Sequence, residues 1–491
     1  MFHNLNGSTR LIEVQTLFRE GSSLLFEQLW NSPKAFLASL AVKSTGKHML
    51  IVTGASTEEV RLFQDFKQFT DSPIIDFPAW ETLPSENIPP SPDIVGERYL
   101  ALQKVRESGQ PCIVLTSLQA CLQKLLPPAR FFEMNFTLKP GDQLPFDPFI
   151  QKLEQCGYTR KSIVTDKGEY AVRGGIIDLF PVSTPDPYRL EFWGDQLESI
   201  RTFDPIGQKS ILTVQELQML PGQEMELIQK EEQLVSLLEY LGPNTMILFD
   251  DLLALEDRYA QLIGFSGLGA HFFSIEQFLD QTAPYQKLYL SAQPIEELSG
   301  IETAKSVNFY SKQTPAHPLI FEIFGRKQEA YRIPEPFASC REVLLPEIEE
   351  PAPDEWLKGL CALPEEWTLY LLVESEAEEG KLLNHLRDLS LHLPRHTHIQ
   401  IGYLSSGFAV SEVKTLIFPM TEITHRFKIR RQKQRSTYHT TFTESYDLQP
   451  GDLVVHFHQG IGKYIGIEKK PNHLGVRSDC FLIESGEGGK L

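Results

Sequence analysis

Cysteine is scarce in this chain and has no pattern. Six are spread over 491 residues (Cys112, Cys121, Cys156, Cys340, Cys361 and Cys480). None forms a C-x-x-C pair, so neither a zinc knuckle nor a disulfide scaffold is indicated, and the set fits a reducing cytoplasm. His456 and His458 share a strand face but have no Cys or acidic partner at ligand spacing, so no metal is expected. No apolar run approaches the roughly 18 residues of a membrane span, and the amino terminus has no charged region followed by an apolar stretch. Positive charge is also in deficit. With 46 Lys and Arg against 65 Asp and Glu, the net charge of −19 argues against wrapping nucleic acid by bulk electrostatics and favours protein partners.

The hydrophobic share of 41% is that of an ordinary globular protein. At about 100 to 200 residues per domain, the length calls for three or four domains. Over 1–127, apolar strand-like runs (48–52, 112–115) alternate with helical stretches such as Ser56 to Phe69, the pattern of an α/β layer on a parallel sheet. Between them Phe77 to Leu102, FPAWETLPSENIPPSPDIVGERYLAL, reads as a proline-rich loop entering a helix capped by Ser91 or Asp93. The α/β pattern returns over 216–340, with a helix expected over Lys230 to Leu241 and a buried strand at 246–249. The intervening 128–215 is β-rich, and insertion into one α/β domain is the simplest inference.

Within that segment, Tyr188, Leu190 and Phe192 alternate with Arg189, Glu191 and Trp193, the period-2 signature of a half-buried strand. Gly194-Asp195 supplies a two-residue hairpin turn, and Gln196 to Phe203 is the partner strand. Upstream, Glu169, Ala171 and Arg173 share a face of a shorter strand that Gly174-Gly175 interrupts as a bulge or bend. Burying the Tyr188/Leu190/Phe192 face sends Trp193 to solvent beside Arg189. Two readings remain open. Trp and Arg are the residue types of interface hot spots; alternatively, Trp193 packs under a loop and Arg189 pairs with Glu191.

An acidic, proline-containing linker is expected over 341–355, a small α/β domain over 356–425, and a basic linker over 426–447. The small domain has a strand at 367–372 and a helix from Ser375 with a Ser375/Glu378 capping box. The basic run Arg426 to Arg435 reads as a solvated linker or a phosphate-contacting arm. Over 448–491 the chain reads as a turn at Pro450-Gly451-Asp452, a strand at 453–457, a bend at Gly460 and Gly462, and strands at 463–468 and 479–484.

The stretch Gly168 to Asp204, GEYAVRGGIIDLFPVSTPDPYRLEFWGDQLESIRTFD, closely resembles the second domain of the bacterial transcription-repair coupling factor family, shared in weaker form with UvrB. The W-E-x-L-P of the 77–102 loop is also similar to that family. Segment 448–491 resembles its RNA-polymerase-interaction domain, found too in CarD-type regulators. The resemblance implies a multi-domain α/β fold class: a degenerate P-loop, UvrB-like α/β domain with an inserted β-rich domain, a small α/β domain and a partial Tudor-like barrel.

It further implies that positions Arg173, Arg189 and Trp193 bind UvrA, the damage-recognition ATPase, with Trp193 standing where Phe is familiar. Phe481, Leu482 and Ile483 would pair with the polymerase β subunit by strand addition, or else complete a small core. It implies a P-loop near residue 30, where Gln28, Asn31 and Pro33 stand at glycine positions. Pro33 removes an N–H, Lys34 and Ser32 survive, and Ala35 lacks the magnesium-binding hydroxyl. Asp250-Asp251 replaces the acidic strand end of a helicase. No ATP or other cofactor is expected in this chain. The ATP- and Mg-dependent motor of the intact family, which engages damaged double-stranded DNA, would lie beyond Leu491, where the last domain is read as cut short. The implied function is recruitment of excision repair to RNA polymerase stalled at lesions, by a cytoplasmic monomer without membrane contact. The alternatives are a UvrB-type helicase subunit and a CarD-like transcription regulator.

Overall fold

The structure, a computed structural model, describes residues 3–54, 56–82, 88–205, 207–264, 269–295, 317–333, 336–426, 451, 453–456, 460–471 and 477–485. It divides into two units, residues 436–491 with 205–208 forming the smaller.

In the larger unit, helices α1 (Thr9–Arg19), α2 (Asn31–Thr45), α3 (Ser56–Phe69) and α4 (Pro92–Glu107) alternate with strands β1 (Leu24–Glu27), β2 (His48–Thr53), β3 (Ile74–Phe77) and β4 (Ile113–Ser117). The next strands are β5 (Phe136–Leu138), β6 (Thr159–Arg160), β7 (Glu169–Arg173), β8 (Ile176–Leu179), β9 (Tyr188–Trp193), β10 (Gln196–Phe203), β11 (Ser210–Val214) and β12 (Leu217–Met219). Then follow β13 (Thr245–Phe249), β14 (Gln286–Ser291), β15 (His317–Ile323) and β16 (Arg326–Ile333).

Strands from both ends of this span form one eight-stranded sheet in the order β15-β16-β1-β14-β13-β2-β4-β3, parallel except for β15. β6 to β11 form a separate six-stranded sheet in reverse sequence order, while β5 pairs with β12. The central strands HMLIVT, IVLTS and TMILF are nearly continuous apolar runs because both faces of a parallel sheet are covered. Their alternation divides two cores. Leu50, Val52, Val114, Ile247 and Phe249 join the core that includes α4 and the six-stranded sheet. Met49, Ile51, Ile113, Leu115, Met246 and Leu248 join the core with α1, α2 and the small domain.

The β8–β9 loop of the six-stranded sheet packs tightly on α4, and a buried ionic network ties α4 to the segment after β12. A Cβ on Gly96 would come 2.1 Å from the Val182 carbonyl oxygen, so only glycine admits this approach. Arg98, fully buried, donates from Nε and Nη2 to Glu224 (2.8 and 3.0 Å) and from Nη1 to the Pro78 carbonyl (2.6 Å) and Gln123 Oε1 (2.9 Å). Trp80 Nε1 donates to Glu224 at 2.7 Å. The tryptophan of the 77–102 loop is therefore one donor of a charged network that leaves neither ion unpaired. Ser91 is the N-cap of α4, but its hydroxyl makes no cap bond, and Asp93 pairs with Lys167 instead.

The small domain is a four-stranded sheet of β17 (Thr368–Val373), β18 (Thr397–Ile401), β19 (Phe408–Val410) and β20 (Thr415–Pro419), ordered β18-β17-β20-β19. Its helix Glu376–Asp388 is capped by Ser375, which accepts from the Glu378 N–H. The Glu378 carboxylate reaches the Glu374 N–H, one residue short of the reciprocal bond expected of a capping box. The smaller unit contributes β21 (Leu453–His456), β22 (Gly460–Pro471) and β23 (Arg477–Ser485), an antiparallel meander.

Several local expectations are corrected. The helix expected over 230–241 is two helices, Met225–Lys230 and Leu237–Leu241. Val235 between them exchanges both backbone bonds with Leu125 at 2.9 Å, which a continuous helix would forbid. Gly174-Gly175 is the two-residue turn of the β7–β8 hairpin, Gly174 supplying φ +60°. The acidic segment 341–355 is partly helical, with helices Cys340–Leu344 and Pro353–Cys361 entering it. Val343, Leu344 and Leu345 pack on the small-domain core. Gly460 and Gly462 lie within β22, paired to His456 and Val454, so neither makes the bend. Residues 427–435 of the basic run, and Pro450, Asp452, Phe457 and His458, lie outside the described residues.

Candidate functional site: the six-stranded sheet face and the β1–α2 loop

Cross-strand register decides which side chains share the outer face of the six-stranded sheet. Arg173 on β7 is opposite Ile176 on β8, Ile176 is opposite Glu191 on β9, and Glu191 is opposite Ser199 on β10. Trp193 lies two residues beyond Glu191 and Arg189 two before it, so all three sequence-predicted residues project from this face. The Arg189 and Trp193 Cα atoms are about 13 Å apart along the strand, at about 3.3 Å per residue. The opposite face is core, with Tyr170, Ile177, Leu179, Leu190, Leu197 and Ile200 buried.

Trp193 is 76% exposed and follows directly into the Gly194-Asp195 turn, where Gly194 takes φ +59°. Arg173 is exposed and donates only a long 3.4 Å bond to the Ser162 carbonyl. Arg189 differs. Its Nε and Nη2 donate to the two Asp178 oxygens at 2.6 and 2.9 Å, and its guanidinium lies 4.9 Å from the Phe203 ring centre. The Arg189 and Asp178 side chains are 15% and 1% exposed. The bidentate partner is thus Asp178, while the Glu191 carboxylate takes Arg201 at 3.3 Å and the Ser199 hydroxyl at 2.5 Å. Hydrogen bonding to Asp178 raises the pKa of Arg189 further. Asp178 sits directly across from Arg189 but eleven residues away in sequence, so alternation within one strand could not reveal it. An acidic residue at the register position opposite was the available signal.

The second candidate is the β1–α2 loop. Gln28 adopts φ +56° and Asp251, after β13, φ +54°, both in the left-handed region that favours glycine. Gln28 thus occupies a glycine-type backbone conformation at a position the resemblance marks as glycine. Lys34 Nζ lies 2.8 Å from Asp250 Oδ1, both groups buried. Ser32 Oγ donates to Asp65 at 2.9 Å, and Ser405 donates to the same carboxylate from N (2.6 Å) and Oγ (2.5 Å). The Ser32 N–H donates to Ser406 Oγ at 3.3 Å, and the Trp30 indole N–H to the Gly407 carbonyl at 3.2 Å. The helix end is therefore filled by the small-domain turn 405–407. Burial pushes the Asp65 carboxyl up to about 6 despite the serine donors. Neither Asp65 nor the serine turn was foreseen, since they lie 33 and 373 residues from Ser32.

The UvrB interaction domain model matches residues 136–225, and the CarD-like/TRCF RID domain model matches 448–491. A transcription-repair-coupling factor of Haemophilus influenzae is 24% identical over 488 residues, covering 90% of this chain and 42% of that protein. One from Bacillus subtilis is 23% identical over 543 residues, covering 95% and 44%. The chain is a relative of the transcription-repair-coupling factors. The Mycobacterium tuberculosis coupling factor shows 37% identity, over a shorter 169 residues covering 33% of this chain and 14% of that protein. The chain therefore spans less than half the length of these coupling factors. The UvrB interaction match contains Arg173, Arg189 and Trp193, and the CarD-like match contains Phe481, Leu482 and Ile483.

In the smaller unit, the backbones of Phe481, Leu482 and Ile483 pair with Ile467, Gly466 and Tyr464 on β22. β23 is the last strand of its sheet, and no described strand pairs with its other edge. Among the described residues no helix is long and apolar enough to cross a membrane.

Proposed function

We propose that this chain works in transcription-repair coupling as an adaptor, holding UvrA on the outer face of the six-stranded sheet and the RNA polymerase β subunit on the open edge of β23. The observation that carries this reading is the 76% exposed Trp193 on the same outer sheet face as Arg173, in the segment matched by the UvrB interaction model. A large indole left in water on the same sheet face as an exposed guanidinium is the composition of an interface hot spot. Arg189 has a different role in this scheme: its charge is committed to Asp178, so it shapes the face and contributes less direct contact. An unpaired strand edge offers main-chain donors and acceptors to a partner strand, which suits the segment 481–483.

The β1–α2 loop takes no nucleotide in this reading. Lys34 and Asp250 neutralise each other, and Ser406 of the serine turn accepts from the Ser32 N–H that a phosphate would otherwise meet. This reading assigns the chain itself neither engagement of damaged DNA nor ATP-driven movement. Titrating UvrA into the full chain tests the adaptor reading. Arg173→Ala and Trp193→Ala should each weaken binding about tenfold, near 1.4 kcal/mol. Unchanged affinity in both would reject it.

A further inference from the structure

A cavity of about 730 Å³ lies where the start of α2 meets the small domain, lined by no residue of the six-stranded sheet. Its size is that of ordinary ligand pockets, about 300 to 1,000 Å³. Two indoles line it. Trp30 is held by its bond to the Gly407 carbonyl, and Trp356, 4% exposed, is packed 5.4 Å from the Phe418 ring.

Three carboxylates line it, Glu349, Glu350 and Glu422, with Arg341 and with His425, which faces Glu422. Glu349 and Glu350 are exposed and form no ion pair or hydrogen bond with the described residues. Glu422 accepts from the Gly407 N–H at 2.5 Å, leaving its second oxygen with acceptor capacity, and burial raises its pKa. Arg341 is the one Lys or Arg in the lining, against three acids, and it is drawn aside by a 3.4 Å bond to the Ile348 carbonyl.

Indole faces carry negative potential and attract cations, guanidinium above all because its planar face also stacks. The exposed Glu349 and Glu350 disfavour phosphates and carboxylates at this cavity. We propose that it takes an arginine side chain presented by an extended segment of a partner protein, the guanidinium seated against the indoles and bonded by Glu349 and Glu350. This does not depend on the adaptor reading, which concerns other surfaces.

Calorimetric titration of the full chain with acetyl-Gly-Ser-Arg-Ser-Gly-amide tests it, with citrulline and glutamate versions of the peptide and free arginine as comparisons. The arginine peptide should bind saturably and weaken several-fold between 50 and 300 mM salt. The citrulline and glutamate peptides should not bind. The double variant Glu349→Gln, Glu350→Gln alters only exposed side chains; it should melt as the parent does and bind about fivefold more weakly, and Glu350→Arg should abolish binding. No saturation with the arginine peptide, undiminished affinity in the double variant, or equal binding of the citrulline peptide would overturn the proposal. Free arginine binding as tightly as the peptide would also overturn it, by removing the partner segment.

Discussion

Trp193 and Arg189 lie four residues apart on one strand, yet their surroundings predict opposite consequences of mutation. Trp193→Ala should leave the melting temperature unchanged, because three quarters of the side chain is already in water. Arg189→Ala should destabilise the fold by about 3 kcal/mol, since it strands the buried Asp178 carboxylate. Thermal melts of the two variants check the contrast. Asp65 gives a second test. Its folded pKa, about 6, stands above the ordinary 3.8 because burial disfavours the charged form. Its contribution to stability is therefore fully present below about pH 4 and lost as pH rises through 6. Asp65→Asn removes that titration, so the variant should gain on the parent by up to about 3 kcal/mol between pH 4 and 7, read from urea unfolding at several pH values. Gln28→Gly should be neutral or stabilising by about 1 kcal/mol, since the backbone there is already left-handed.

Among the elements, those legible in the sequence were the ones whose burial follows strand period. The run Tyr188 to Trp193 and its partner Gln196 to Phe203 appear with those bounds because each alternates between a core face and an outer face. Period within one strand does not report what lies across the sheet, which is why Asp178 was missed. Nor does composition separate a linker from short helices: the acids of 341–355 are exposed while its leucines pack on the small-domain core. Residues 230–241 have helix-forming composition, but the backbone of Val235 is taken by Leu125, a tertiary choice no local window contains. At this scale the Arg98–Glu224 network predicts that the junction of α4 with the segment after β12 is braced by charge. Arg98→Met or Glu224→Gln should each cost about 3 to 5 kcal/mol by leaving a buried ion without its partner, whereas the double change should cost less than the sum. Urea unfolding of the two single variants and the double variant measures that coupling.

Across the whole molecule, an overall charge of −19 coexists with a sheet face carrying Arg173, Arg189 and Arg201. In the α/β layer, Lys34 pairs with Asp250, while the start of α2 and Asp65 are bonded to the small-domain serine turn. A fluorescent ATP analogue should accordingly show no saturable binding to this chain. The proposed adaptor reading puts protein contact at the exposed indole, in keeping with the negative net charge. The most direct test is the affinity of the full chain for purified UvrA, measured side by side with Trp193→Ala. Tight binding by the parent and a drop of about tenfold in a variant that melts at the parent's temperature is the expected result. Equal affinity of the two proteins, or no binding by the parent, would contradict the assignment of this face.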